Sequence, residues 1–414
     1  MLSVLRSRDF RLLWLGQSAS VLGDGLIVVA IGLYVTRLTG DPSDVGLVLA
    51  CYILPLVLFL LVGGVIADRL PRQAVMMSTD LIRAGLHGTL AVLILTGVVR
   101  IWHMMIIGLL FATAQAFFQP AYTGLVPQTV PEGEIQAAQA LSGVSRELGQ
   151  FVSPAVATAL VFTVGGGVAF GVDAATFLIS ALTLSQVRAR PRGDAAVRST
   201  LLVELREGWT AVRERSWVWG TIGAFSTAVL LAMAPFFVLG PSVARHVYGT
   251  EAVYGITNAA WGVGTVLGAT LGARWRPHRP MLAGMIAGLV WPGQIALYAS
   301  GAPLVLLYPA TTLAGFGLGL FGVWWETALA QRIPGQLLSR VSAWDWMGTL
   351  ALLPVGYLLA GPIAAAFGDQ RVLLIGGLLG LLAMTLGLLP QSTRTLTRID
   401  EMPQPTVIAG LGQA

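Results

Sequence analysis

Apolar runs long enough to cross a bilayer recur along the whole chain, and nothing else in the sequence restricts the fold as much. A run of about 22 residues spans about 33 Å as a helix, which matches a hydrocarbon core of about 30 Å. Twelve such segments are expected, at roughly 10–36, 45–67, 74–97, 101–127, 136–163, 166–187, 217–240, 252–274, 280–299, 303–329, 340–365 and 370–389. Inside lipid every backbone N–H and C=O needs a partner within the protein, so runs of this length are helices. Composition agrees: the chain is 55% hydrophobic and 11% charged with a mean hydropathy of +0.76, where soluble domains carry about 25% charged residues. The class expected is an all-α integral membrane protein of twelve transmembrane helices.

The net charge of +5 is not a nucleic-acid signal, because the arginines gather at one set of helix ends. Arg6, Arg8, Arg11, Arg69, Arg72, Arg188, Arg190, Arg192, Arg198, Arg206, Arg213, Arg215, Arg274, Arg276, Arg279, Arg332, Arg340, Arg394 and Arg398 fall on one side, against Arg37, Arg100, Arg245 and Arg371 on the other. The positive-inside rule then places both termini of a multi-pass membrane protein in the cytoplasm. Cys51 is the single cysteine and sits in an apolar run, which leaves no disulfide framework and no thiolate metal site. The histidines are scattered without metal-ligand spacing, and no cofactor or metal is expected. No cleavable signal peptide is read at the N-terminus.

The longest hydrophilic stretch, 188–216, divides the chain into halves at 1–187 and 217–389, followed by a cytoplasmic tail at 390–414. Within it Leu201, Leu205, Trp209 and Val212 share one helical face, away from Arg206, Glu207, Arg213 and Glu214. That pattern predicts an interfacial amphipathic helix. The halves echo each other: LSGVS at 141–145 resembles LSRVS at 338–342, and ADRLPR at 67–72 is faintly matched by GARWRPHR at 272–279, with Ala273 in place of Asp68. Two echoes near half the chain length argue for an internal repeat.

Three stretches carry a family resemblance. Residues 63–73, GGVIADRLPRQ, resemble the loop between helices 2 and 3 of the major facilitator superfamily, G-x-x-x-D-R-x-G-R-R, starting at Gly64. Residues 117–143, FFQPAYTGLVPQTVPEGEIQAAQALSG, and 170–182, FGVDAATFLISAL, resemble the drug:proton antiporter branch that includes enterobactin exporters and macrolide efflux pumps. Pro71 and Gln73 depart from the loop pattern, and Ser153-Pro154 stands where antiporters often have Gly-Pro. The resemblance implies the major facilitator fold, two pseudo-symmetric six-helix halves. It also implies a cytoplasmic gate: Gly64 for close helix packing, with Asp68, Arg69 and Arg72 facing the start of helix 11, near Asp345.

Ionisable residues inside spans are functional candidates, since each costs about 2.5–3.5 kcal/mol at mid-helix. Asp24 lies in helix 1 between Gly23 and Gly25 and is either a proton-coupling carboxylate or a structural one; Glu147 in helix 5 is a second proton-coupling candidate. Arg146 is expected to meet substrate, pair with Asp24 or pair with a helix 3 carboxylate. Asp80 and Arg83 are spaced to pair across one turn. Asp173 is expected near the outer surface facing water, and Trp102 and Trp291 as interfacial anchors.

The expected cavity holds Gln17, Gln115, Phe118, Gln119, Asn258, Trp261 and Trp325. GFGLGLFG at 315–322 and the Gly264, Gly268, Gly272 series are expected as close-packing devices. No nucleophile–base set or Walker-type nucleotide loop is present, so an enzyme is not expected. The leading reading is a monomeric secondary transporter that exports a small amphipathic molecule, such as a drug, antibiotic or siderophore-like metabolite, by proton antiport. A proton-coupled importer and a non-transporting membrane sensor are the rivals. Its partners would be the substrate, protons and the bilayer.

Overall fold

The computed structural model describes residues 2–24, 26–188 and 201–397; the side chains of Asp24, Gly64, Asp68, Arg69 and Glu147 lie outside the described residues. The first half contains α1 (Arg8–Asp24), α2 (Leu26–Thr39), α3 (Pro42–Arg69), α4 (Arg72–Leu95), α5 (Ile101–Leu125), α6 (Ile135–Thr163) and α7 (Gly166–Ser185). A short helix α8 (Leu201–Arg213) leads to the second half. There follow α9 (Ser216–Ala228), α10 (Ala234–Tyr248), α11 (Ala252–Arg274), α12 (Pro280–Gly288), α13 (Val290–Ala299), α14 (Leu304–Arg332), α15 (Gly335–Ala351), α16 (Leu353–Phe367), α17 (Asp369–Leu386) and a terminal turn α18 (Gln391–Thr395). No strand occurs among the described residues.

Several membrane segments are two helices in series, and proline accounts for the breaks. Pro292 cannot bond Gly288, where α12 gives way to α13, and Pro354 falls just after the step from α15 to α16 at Leu352. Between α9 and α10 the backbone widens into a π turn at Val229–Met233, just ahead of Pro235. Such bulges are common at functional sites.

Nine segments among the described residues are long and apolar enough to cross a membrane. The membrane-length segments outside that set are α1–α2, α6 and α11. These helices carry Gln17 and Ser18, Ser145 and Arg146, and Thr257 and Asn258.

The bundle has two distinct ends. At the arginine-poor end, loops turn on left-handed glycines at Gly40, Gly97, Gly165, Gly249, Gly301 and Gly368. A side chain would be strained at these φ values. Gly40 with Gly249, Gly97 with Gly301 and Gly165 with Gly368 are each about 205 residues apart, the spacing of a repeated half.

The halves are joined at this same end. Arg37 Nε meets Glu251 Oε2 at 2.6 Å, and Arg245 also pairs with Glu251. Thr158 Oγ1 donates to Gly255 O at 3.1 Å. Gly46 lies against the Tyr357 carbonyl, and Gly361 against Ser43, so closely that a Cβ at either glycine would overlap its neighbour.

Within the second half α11 and α14 interlock through small residues. Gly264 and Gly268 face the carbonyls of Thr312 and Phe316, while Gly315 and Gly319 face those of Trp261 and Thr265. The expected close-packing role of these glycines is therefore seen directly. At the arginine-rich end α8 lies against α15: Glu207 pairs with Arg340, and the Trp209 and Trp344 rings are 4.9 Å apart. Val212 is buried and Trp209 half exposed; the side chains of Leu201 and Leu205 lie outside the described residues. An apolar groove of 520 Å³ opens beside this helix, edged by Trp209, Trp219 and Trp344, with Arg213 its one cation among the described residues.

Candidate functional site

The first half holds a buried polar chain running across four helices. Gln17 Nε2 on α1 donates to Ser180 Oγ on α7 at 2.8 Å, and Ser180 Oγ donates to Asp80 Oδ2 on α4 at 2.6 Å. Asp80 Oδ1 takes the Arg83 guanidinium, which also donates to Gln115 Oε1 on α5. The side chains of Asp80 and Arg83 have 0% exposure. Arg83 is further enclosed by rings, 4.2 Å from the Phe118 centroid and 4.3 Å from that of Phe177. Buried charges persist in membranes when paired and bonded in this way. The pairing of Asp80 with Arg83 agrees with their three-residue spacing.

A second buried pair joins α4 to α7. His87 Nδ1 meets Asp173 Oδ2, and His87 Nε2 lies 3.3 Å from the Tyr52 hydroxyl on α3. The His87 ring stacks on Phe111 at 4.2 Å. This corrects the expectation for Asp173: it is 1% exposed and two turns into α7, and does not face water. Its rotation about the helix axis, which hydropathy does not report, turns it onto α4. Gly23 lets α1 approach so closely that a Cβ there would overlap Asp173 Oδ1.

Next to the first chain is a cavity of 130 Å³. Gln17, Gln115, Phe118, Gln119 and Arg146, five of the expected substrate residues, all line it. Trp14 Nε1 donates to Ser145 Oγ at 2.7 Å across its wall, linking α1 to α6. Gln17, Gln115 and Phe118 thus face the cavity on one side and fix the Asp80–Arg83 network on the other. Asp80 has Arg83 and Ser180 as its partners in this network.

The second half has its own smaller cavity, 30 Å³, where Asn258 and Trp261 come together with Met233, Phe236, Phe237, Thr257, Trp291, Gln294 and Ile295. The π turn and the Pro292 break place Phe236 and Trp291 on its wall. Trp291 is 3% exposed and is therefore not an interfacial anchor; Trp102, in the first turn of α5, is 54% exposed. Trp325 packs against Trp217 and Phe321 and donates to Asp345 Oδ2 at 2.8 Å, apart from the cavity residues. Gln294 escaped the sequence reading, and Trp291 entered it only as an anchor. Their signal was W-P-G-Q, a proline and an amide in the middle of an apolar segment.

Of the expected gate residues, Arg72 donates to Gly124 O on α5 and Asp345 accepts from Trp325 on α14. Both bonds stay within their own halves. Asp68, Arg69, Gly64, Asp24 and Glu147 have side chains outside the described residues.

Comparison with known proteins matches this architecture. The family model described as transmembrane secretion effector, a major facilitator family, matches residues 1–386. Macrolide efflux protein A of Streptococcus pyogenes is 24% identical over 379 residues, covering 89% of this chain and 93% of the relative. The enterobactin exporter EntS of Escherichia coli O1:K1 / APEC is 27% identical, covering 92% of this chain and 94% of the relative. The crystal structure of the nucleoside transporter NupG superposes with a TM-score of 0.72 at 14% identity, over 94% of this chain and 99% of that one. The chain belongs to the major facilitator transporters, in the transmembrane secretion effector family, and is not an enzyme.

Proposed function

We propose that this transporter exports a small amphipathic molecule by proton antiport. The observation that carries the reading is the pair of cavities, one in each half, in a bundle clasped at its arginine-poor end by Arg37 and Glu251. Neither cavity reaches the about 300–1,000 Å³ of a drug-sized site. We therefore read them as two subsites that meet the substrate from opposite sides as the halves rock. Gln17, Gln115, Phe118, Gln119 and Arg146 form one subsite, and Asn258 and Trp261 belong to the other. The relatives named for macrolide and enterobactin export support the outward direction and the class of cargo.

With the arginine-rich end in the cytoplasm of a bacterial plasma membrane, the clasped end faces outward and this conformation faces inward. Gly64, Asp68, Arg69, Arg72 and Asp345 then form the opposing cytoplasmic latch, closed in the outward-facing state. The halves at 1–187 and 217–389, joined by 188–216 and followed by the tail at 390–414, act as the two rocking bodies of a monomer. Asp24 is the proton carrier in this reading, supported by its place between Gly23 and Gly25 within an apolar span; Glu147 is the second candidate. One proton entering down a potential of about 150 mV releases about 3.5 kcal/mol. At about 1.4 kcal/mol per tenfold, that sustains a gradient of a few hundredfold.

The test is proton movement in energised inverted vesicles, with wild type beside Asp24→Asn. Macrolides, lipophilic dyes and catechol siderophores are added in turn. Discharge of the pH gradient by one class, in wild type alone, is the expected result. Substrate accumulation in cells without any discharge would replace antiport with uptake or uniport.

A further inference from the structure

Buried hydrogen-bond donors without a partner are costly, and most proteins leave few of them. Here several converge on the two cavities. In the first-half cavity the Nε–H of Arg146 and the hydroxyl of Ser18 are buried with no partner among the described residues. In the second-half cavity the same is true of Trp291 Nε1, the Gln294 amide nitrogen and Thr257 Oγ1. The hydroxyls of Ser18 and Thr257 can rotate to give or accept. The guanidinium of Arg146 and the indole N–H of Trp291 can only donate. Each half therefore has at least one unpartnered fixed donor on a residue that lines its cavity. The second-half wall is aromatic, with Phe236, Phe237 and Trp261.

We infer that the transported molecule is rich in oxygen acceptors, neutral or acidic, with an apolar body, and that lipophilic cations are poor ligands. This rests on the export reading above and specifies its cargo. An ester, ether, carbonyl or phenolate oxygen would accept from Trp291 and Gln294 while its carbon skeleton packs on Phe236 and Trp261. A second oxygen, most favourably a charged one, would accept from Arg146, since bonds to charged groups are the stronger ones. A cation would leave both fixed donors unsatisfied and meet a guanidinium in the first half. Ser18, Thr257, Trp291 and Gln294 thereby join the substrate-binding residues.

The inference is tested by direct binding to the full chain in nanodiscs, using a macrolactone without an amino sugar, a catecholate and tetraphenylphosphonium. The two oxygen-bearing probes are expected to bind at least tenfold more tightly than the cation. Trp291→Phe, which keeps a ring and removes the N–H, should weaken both by about fivefold, the value of one neutral hydrogen bond. Arg146→Gln should weaken the catecholate by tenfold or more and the macrolactone less. Gln294→Met supplies a second donor-free variant should Trp291→Phe fold poorly. Equal or tighter binding of the cation overturns the inference. So does failure of both oxygen-bearing probes to bind, or unchanged affinity for them in the donor-free variants. Flux in vesicles from the same preparation separates the two readings. Preferential binding of the oxygen-bearing probes without flux upholds the inference and removes export. Flux of the cation without that preference overturns the inference and leaves export standing.

Discussion

Arg37 at the end of α2 and Glu251 just before α11 meet at 2.6 Å, tying the two halves together at the arginine-poor end. Glu251 also takes Arg245 from its own half, and the Arg37 guanidinium lies 4.9 Å from the Phe162 ring centroid. Arg37 is 40% exposed, so the pair is worth only about 0–1 kcal/mol. Two states of a transporter near balance need no more than that to change their populations severalfold. Glu251→Gln should therefore favour separation at this end without unfolding the bundle. Pulsed spin-label distances between Asp41 and Thr250, labelled as cysteines in a Cys51→Ser background, should show a longer population growing by about threefold to fivefold. An unchanged distribution in a folded variant would mean that backbone contacts such as Gly46 with Tyr357 hold this end alone.

Deep in the first half the energetics reverse. Asp80 and Arg83 are sealed from solvent, and losing one partner leaves an uncompensated charge, at a cost of about 3–5 kcal/mol. Arg83→Met should depress the thermal midpoint and the yield of folded protein sharply. Asp80→Leu combined with Arg83→Met should recover at least half of that loss, because apolar replacement of a whole pair is often near neutral. Melting followed by tryptophan fluorescence would decide it. A double variant no better than the single one would show that Ser180 and Gln115 need the charges as partners.

The membrane segments could be read in the sequence because apolar run length is set by bilayer thickness. The glycine series at 264, 268 and 272 was legible for a similar reason, since four-residue spacing puts small residues on one helix face. The expected cavity residues are polar or aromatic side chains out of place in lipid, and Gln17 and Gln115 do line one cavity together. Partners across helices were not legible. Asp173 read as a residue near the loop, yet it turns onto His87 from 86 positions away. Trp291 read as a belt residue because tryptophan suits both the interface and a cavity wall. Its depth depends on how α13 is offset by the Pro292 break. In a segment apolar on every face, hydropathy carries no phase, so the rotation that selects a partner is set only by packing.

Packing also sets the steric limits. At Gly268 a Cβ would overlap the carbonyl of Phe316, so α11 and α14 approach backbone to backbone. Gly268→Leu must push these helices apart and should abolish folded yield, or cost at least the about 1–3 kcal/mol of an overpacked core. Gly85 on α4 is the control: it is exposed, and a Cβ there meets nothing within 4 Å. Gly85→Leu should fold as wild type, judged by size-exclusion profile and melting. Equal tolerance at both sites would show that the α11–α14 contact adapts.

His87 and Asp173 pose the question of whether a buried pair serves structure or transport. Every identified partner of the pair lies inside the first half: Asp173 and Tyr52 on the imidazole nitrogens, Phe111, Phe170 and Phe177 around the ring. Neither residue lines either cavity. A structural tie between α4 and α7 is the expected role, because a group with no face on a cavity has no route to exchange protons with substrate. Asp173→Leu alone strands His87 Nδ1 and should destabilise by about 1–3 kcal/mol, the cost of one buried unsatisfied group. His87→Phe with Asp173→Leu removes both polar groups and keeps the aromatic stack, so it should restore most of the stability and retain substrate-driven proton movement in vesicles. A double variant that folds well but moves no protons would move the proposed coupling role from Asp24 to this pair.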